Sequence, residues 1–326
     1  MEVLDFLLSE DIIVKYMSMA DFLNYDIASE DMKNIKKEIL KDNRVQDLID
    51  KASALYTTVL KNHNKADHPT HILSFLTEIG IGVDDSPLIK KLAQEILDSY
   101  GPENTFQVTA NIPIHFGGTG EDMNSWMMCD TPLLSYSLAK LGFKNNDKVK
   151  STIEKLLSLS NTNGYRCTAS AALGKFRGPG RKDDPCPYAN LLIAKLFSIF
   201  PEYHNEQRVL NSINMLLDQW ENKANKRFFL FGMKNKFTKL KMPFVWYDIL
   251  HLSYVLSFYK SVSNDKRFLD MLNVIKSKAD SNGLYTAESV YLKWKGWDFR
   301  DKKKPSSFIT YYVYKTLKNA GQIQSL

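Results

Sequence analysis

Cysteine is scarce in this chain: its 326 residues carry three, at Cys129, Cys167 and Cys186. Separations of 38 and 19 residues fit neither a disulfide framework nor paired C-x-x-C zinc modules. The simplest expectation is free thiols in a reducing, cytoplasmic setting. No run approaches the ~18 uncharged apolar residues of a membrane span. The opening MEVLDFLLSEDIIVKYM carries acids where a secretory signal needs a basic start. No Pro-, Gly- or Ser-rich linker divides the chain, and strand signals are weak throughout. A net charge of +6 is modest for this length and does not by itself imply nucleic acid, so no nucleic-acid partner is expected. Contact with a membrane surface stays open.

What is present is helical repetition. Hydrophobic residues make up 44% and charged residues 25%, ordinary for a globular protein, but aromatics at 12% are high and sit inside apolar runs. Four amphipathic segments recur at a period near 60 residues: DSPLIKKLAQEIL from Asp85, DKVKSTIEKLLSL from Asp147, EQRVLNSINMLL from Glu206 and DKRFLDMLNVIK from Asp265. Each opens near an acid and keeps its apolar residues on one face, as Val149, Ile153, Leu156 and Leu157 do. Between them lie runs apolar all round: SWMMCDTPLLSYSLAKL, CPYANLLIAKLFSIF, PFVWYDILHLSYVLSF and PSSFITYYVYKTL. A helix apolar on every side must be buried on every side.

Alternating buried and half-buried helices predict two concentric layers: an all-α fold, an α/α toroid over residues 65–326, with residues 1–64 as helices capping or extending it. Gly164 and Gly283 are expected to stop outer helices, and Pro185, Pro243 and Pro305 to occupy first turns of inner ones. In such a ring the inner helices run one way, so their positive N-termini share a rim. The loops entering that rim are basic: Lys175 to Lys182, Lys234 to Lys241 and Lys293 to Lys304. Phosphate or diphosphate is the natural ligand there, with Arg177 and Arg181 of the Gly-Pro-Gly loop the most suggestive cations. A plain solvated basic face is the competing explanation.

Candidate chemistry clusters in FRGPGRKDDPCPYANLL and WYDILHLSYVLS. The first sets Arg177, Arg181 and Lys182 against Asp183, Asp184 and Cys186; the second holds Asp248 and His251 in an apolar helix. A buried carboxylate costs several kcal/mol unless paired, so Asp248 needs a metal, a proton or a cation such as Lys239, Lys241 or Arg181. Trp246 and Tyr247 are core packing or ligand wall. Cys129 and Cys167 raise a second arrangement, a cysteine-rich site completed by Cys186. His68 and His71, in HPTH, could bind metal, but capping or core packing explains them equally.

These features resemble the α/α-toroid family of protein prenyltransferase β-subunits and squalene/terpene cyclases. The prenyltransferase branch carries a Gly-Arg, a nearby Lys and then Asp-x-Cys-Tyr at the start of an inner helix. Gly180-Arg181-Lys182 followed by Asp184-Pro185-Cys186, with Tyr188 one place later, is similar, and so is His251-Leu-Ser-Tyr254-Val-Leu256-Ser257 to that branch's histidine run. The resemblance implies zinc held by Asp184, Cys186 and His251 with an open fourth position; Asp248, one turn earlier, is the alternative third ligand. It implies that Arg181 and Lys182 stabilise the diphosphate of an isoprenoid or similar anionic small molecule, with any partner subunit unknown; Arg177, Tyr188, Lys239, Lys241, Trp246 and Tyr247 are the further candidates for binding that ligand. The cyclase branch is less similar, since its D-x-D-D motif meets Arg181-Lys182-Asp183-Asp184 here. Two alternatives differ in class. In a carboxylate-driven, carbohydrate-active toroid without metal, Asp130, Asp183, Asp184 and Asp248 supply acid and base. In a non-catalytic module the basic rim binds an anionic ligand or partner.

Overall fold

The computed structural model describes residues 2–175, 183–223 and 236–326. These are predominantly helical, in line with the all-α expectation, and include one pair of three-residue strands. The chain divides into two compact units, one of Met1–Asp47 with Met233–Leu326 and the other of Leu48–Gly232. The first begins with α1 (Val3–Ser9), α2 (Ile12–Asp21) and α3 (Glu30–Lys41), and the first boundary falls within α4 (Asn43–Ser53).

In the second unit two kinds of helix alternate. α5 (Pro69–Glu78), α7 (Thr131–Leu138) and α9 (Pro187–Phe197) are buried over almost their whole length. α6 (Pro87–Asp98), α8 (Asp147–Ser158) and α10 (Gln207–Glu221) bury one face; on α8 that face is Val149, Thr152, Ile153, Leu156 and Leu157. The buried helices pack in succession, α5 on α7 and α7 on α9, while α8 covers α7 and α10 covers α9. Each fully buried Leu, Ile or Phe of α9 is worth about 1.5–3 kcal/mol. The strands β1 (Val108–Ala110) and β2 (Met123–Ser125) pair antiparallel, Val108 facing Ser125.

The first unit repeats the scheme. α11 (Ile249–Leu256) is buried throughout and packs on α12 (Lys266–Lys276), which buries one face, and on α13 (Ser307–Asn319). α1 and α2 pack on each other and on α13. Asp21, the last residue of α2, accepts from Tyr311 Oη and Lys315 Nζ of α13. Arg44 gathers Asp11 Oδ2 at 2.7 Å and Asp42 Oδ2 at 2.6 Å, and stacks over Trp297 at 4.9 Å.

The repeat is visible in its joints. After α8 the chain turns at Gly164, with φ +97°, and the Tyr165 carbonyl accepts from Cys186 N at 2.8 Å. After α12 it turns at Gly283, with φ +78°, and the Tyr285 carbonyl accepts from Ser306 N at 2.8 Å. These glycines lie beyond the helix ends at Ser158 and Lys276, so they turn the following loop and do not stop the helix as the sequence suggests. The prolines also sit differently: Pro187 occupies the first turn of α9, whereas Pro185 and Pro305 precede the N-caps Cys186 and Ser306, and Pro243 lies well before α11. Counted from the caps, Asp248 is the positional counterpart of Cys186.

Candidate functional site

The N-caps of the buried helices are chemically unusual. His68 caps α5, Asp130 stands at the start of α7, Cys186 caps α9, Asp248 caps α11 and Ser306 caps α13. Ser, Thr, Asp and Asn are ordinary there, because their oxygens reach the first free N–H groups; His and Cys are not.

Three backbone segments of the second unit bring its cysteines together. Residues 165–170 pair on one side with 126–128, through Met128 N to Thr168 O at 2.8 Å and Ser170 N to Trp126 O at 3.0 Å. On the other side they pair with Pro185 and Cys186, through the Arg166–Pro185 bridge and Cys186 N to Tyr165 O. Asn190, one turn into α9, locks this join: its Oδ1 accepts from Tyr165 N at 2.9 Å, and its Nδ2 donates to the Tyr165 and Cys186 carbonyls at 2.9 and 2.8 Å. Cys167 therefore lies between Cys129 and Cys186. The Cys167 thiol interacts with those of both Cys129 and Cys186.

Each hydrogen bond and the burial of the group set the protonation of these thiols. The interaction with Cys167, then burial, pushes Cys186 well above the ordinary thiol range. The interaction with Cys129 and burial likewise push Cys167 up. The interaction with Cys167 favours a Cys129 thiolate, but burial, Cys186 and Asp130 outweigh it and raise this thiol too. At neutral pH all three are protonated.

Histidines and one carboxylate adjoin the thiols. His63 Nδ1 stands 3.7 Å from Asp130 Oδ1; burial opposes its charging, yet the Asp130 carboxylate wins and its pKa is raised. His68 Nδ1 accepts from Thr70 N at 3.3 Å as the α5 cap, and burial lowers its pKa. His71 Nε2 is 2.8 Å from the His63 carbonyl, and burial brings it down to about 4. Asp130 Oδ2, His68 Nε2 and His71 Nδ1 are buried with no hydrogen-bond partner among the described residues. As the side chains stand, no group of three His, Cys, Asp or Glu among the described residues is arranged to hold a metal ion.

In the first unit Asp248 is completely buried. Its Oδ1 accepts from Leu250 N and His251 N at 3.1 and 3.0 Å, and Lys241 Nζ lies 4.0 Å from its Oδ2. Burial nevertheless dominates and raises its pKa to about 6, against the pull of Lys241. His251 Nδ1 is 3.0 Å from the Trp246 carbonyl, and its ring stacks on Phe244 at 4.8 Å and 7°. Phe244 also meets Tyr254 and Tyr312 at 5.2 and 4.8 Å, so the histidine stacks on one member of an aromatic cluster. Tyr247 is buried against Phe237, Lys241 sits over Tyr291 at 4.9 Å, and Lys239 and Trp246 are half-buried.

Asp184 and Cys186 belong to one unit, and His251 with Asp248 to the other. Asp183 is exposed and pairs with Arg166 at 3.1 Å, Asp184 is exposed, and Tyr188 is buried in the first turn of α9. Arg177, Arg181 and Lys182 lie outside the described residues. Sequence reasoning missed Lys195, which is 2% exposed and contacts Glu78 Oε1 at 3.0 Å and Ser74 Oγ at 3.2 Å. Tyr136 donates to the same carboxylate at 2.5 Å. The signal was a lysine inside a run read as buried on every side. His63 was missed as well, and it stands in a polar stretch without periodicity.

Comparisons with protein-family models, with curated proteins and with solved structures give no match. Among the described residues no helix is long and apolar enough to cross a membrane.

Proposed function

We propose that the chain is a prenyltransferase-like protein with an α/α-toroid arrangement that binds an isoprenoid diphosphate, or a comparable anionic ligand, in front of α9. The carrying observation is the start of that helix: a buried cysteine, Cys186, occupies its N-cap. Directly upstream the sequence places Lys175, Arg177, Arg181 and Lys182. The free N–H groups and dipole of α9 favour negative charge at this end. Arginine forks suit the oxygens of a diphosphate, where charge develops when that group leaves. The layering of buried and half-buried helices in each unit supports the toroid reading. A zinc ion on Cys186 would supply Lewis acidity and hold an acceptor thiol as thiolate.

Titration calorimetry with farnesyl diphosphate, inorganic diphosphate and a neutral oligosaccharide tests this reading. Farnesyl diphosphate is expected to bind more tightly than inorganic diphosphate, and Arg181→Ala to weaken both about 10–100-fold. Binding of the oligosaccharide alone, or of none of the three, sinks it.

One observation favours a second reading. Asp248, raised to about 6, lies in the same unit as an aromatic cluster of Phe244, Tyr254 and Tyr312, on which the neighbouring His251 stacks through Phe244, as a metal-free proton donor to an apolar substrate would require. Turnover of a polyprenyl substrate that survives metal removal and is abolished by Asp248→Asn would select it.

A further inference from the structure

We propose that the segment before α13, residues 292–304, docks the protein on an anionic lipid surface. Leu292 enters the apolar side of the bilayer interface, and the lysines beside it meet the headgroups. The inference goes beyond the functional reading and does not rest on it.

Four observations carry it. The first is composition at the surface. Leu292 is 69% exposed, and Lys293, Lys295, Lys302, Lys303 and Lys304 are exposed with it. None of these lysines forms an ion pair with a described residue. A single exposed leucine is ordinary. Its setting among unpaired cations is not.

The second is that the acids of the segment are engaged elsewhere. Asp301 Oδ1 accepts from Lys303 N at 2.8 Å. Asp298 accepts from the Ser306 and Ser307 hydroxyls and from the backbone N–H groups of Ser307 and Phe308. Those N–H groups open α13, so with them occupied the pull on anions rests on the lysines.

The third is sidedness. Trp294, Trp297 and Phe299 are buried, their ring centroids 5.6, 5.8 and 5.9 Å apart. Phe308 of α13 closes on Trp297 and Phe299 at 5.5 and 5.4 Å. The aromatic residues face the core, and the lysines that alternate with them face solvent. Arg300 Nε donates to the Leu292 carbonyl at 3.4 Å, which brings the two ends of the segment within one side chain's reach.

The fourth is order. Arg44 donates to the Gly296 carbonyl at 3.5 Å and stacks over Trp297, and Ser306 N is held by the Tyr285 carbonyl at 2.8 Å. A segment fixed in this way loses little conformational entropy on docking.

The chemistry of the patch selects the partner. Lysine is a point charge on a flexible apolar stem, suited to many headgroups and to no single planar fork. Single-stranded nucleic acid stacks on exposed aromatic faces, and here Trp294, Trp297 and Phe299 are turned inward. Leucine among lysines matches the layering of an anionic bilayer, phosphate outside and hydrocarbon beneath. Each lysine near such a surface multiplies binding about five-fold, so the contact is peripheral and reversible.

The test is co-sedimentation of the full chain with vesicles of phosphatidylcholine alone and of equimolar phosphatidylcholine and phosphatidylserine. Binding to the mixed vesicles only is expected, and salt should weaken it, because exposed charges are screened. Lys302→Ala, Lys303→Ala and Lys304→Ala combined should lower it about 10–100-fold. Leu292→Ser should lower it about 3–10-fold. Phe116→Ser, at a side chain 63% exposed in the other unit, and Lys37→Ala, on the exposed face of α3, should leave it unchanged. Every substituted side chain is exposed, and circular dichroism checks that each variant folds. No binding to the mixed vesicles overturns the proposal and leaves a solvated basic loop. Binding retained by the lysine and Leu292 variants overturns it as well. So does binding of an RNA oligonucleotide in place of vesicles, lost in the lysine variant, which would reassign the segment to nucleic acid. Farnesyl diphosphate calorimetry without vesicles reads the functional proposal separately, so either can fail while the other stands.

Discussion

Asn190 closes on Tyr165 from both sides, taking the Tyr165 N–H at 2.9 Å and giving an N–H to the Tyr165 carbonyl at 2.9 Å. The clamp leaves no room for a side chain at residue 164: a Cβ there would stand 2.5 Å from Asn190 Oδ1, at a backbone φ of +97°. Two separate costs meet at one glycine, a left-handed backbone and a collision with the clamp.

A double-mutant cycle separates them. Asn190→Ala leaves the buried Tyr165 N–H without an acceptor and removes side-chain volume, and is expected to cost about 2–4 kcal/mol in urea unfolding. Gly164→Ala is expected to cost at least about 1 kcal/mol for its backbone, plus the collision. In the Asn190→Ala background only the backbone part remains, so Gly164→Ala should cost less there. Strict additivity would show that the clamp does not constrain residue 164.

The buried pair Lys195–Glu78, at 3.0 Å, predicts an asymmetry. Burial works against the Glu78 carboxylate, but Lys195, Lys140 and the Tyr136 hydroxyl more than offset it and lower its pKa below 4.5. Lys195→Met removes the nearest cation from the buried carboxylate and should destabilise the chain by about 3–5 kcal/mol. Lys195→Met combined with Glu78→Leu removes both charges and should recover most of that loss, for apolar replacement of a buried pair is often neutral. The sign for pH follows from the depressed carboxylate. Its contribution is present above the unfolded value of 4.5 and lost as pH falls through the folded one. Urea midpoints of the single and double variants measure the effect.

Arg44 ties sequence-distant parts of the first unit, meeting Asp11, Asp42 and the face of Trp297. A lysine keeps the charge but cannot present a planar fork to two carboxylates and stack at once. Arg44→Lys is expected to cost about 1–2 kcal/mol by denaturant unfolding, whereas Lys33→Ala, in an exposed Lys33–Glu30 pair, should change stability by under ~0.5 kcal/mol. Equal effects would remove the case for a structural role of Arg44.

The outer helices were legible because their burial is one-sided: a 3.6-residue rhythm in the sequence is the same fact as the buried face of α8 or α12. The inner helices were legible from uninterrupted apolar runs, yet their starts were misplaced. Periodicity says nothing at a helix end, where Cys186 and Ser306, not the neighbouring prolines, make the cap. The same blindness affects chemistry. The sequence marks Asp248 as a buried acid in need of a metal, a proton or a cation; Lys241 lies 4.0 Å away, but burial still raises the Asp248 pKa to about 6. Cys167 was recognised only as one of three thiols, because its position depends on pairing with chain about 20 and 40 residues away. His63, in the turn before α5, and Asp130, at the start of α7, are brought together by tertiary structure, which no local pattern encodes.

Asp248 makes a prediction opposite in sign to that of Glu78. Burial raises its folded pKa to about 6, above the unfolded 3.8, so the folded chain binds the proton more readily. Stability from this group therefore rises as pH falls from about 7 through 6 to about 4, by about 3 kcal/mol in all, and levels off below the unfolded value. His71, lowered to about 4 by burial, acts in the other direction across the same range, since it must charge on unfolding. The wild-type profile alone is thus a sum, and the informative quantity is the difference between wild type and Asp248→Asn. Asparagine keeps the cap on Leu250 and His251 and has no proton to gain. The variant is expected to exceed wild type in stability at pH 8, with the advantage shrinking toward pH 4.5. Urea unfolding at four or five pH values measures that difference. A constant offset would mean that Lys241 holds the Asp248 carboxylate charged throughout, and the case for Asp248 as a proton donor would fall with it.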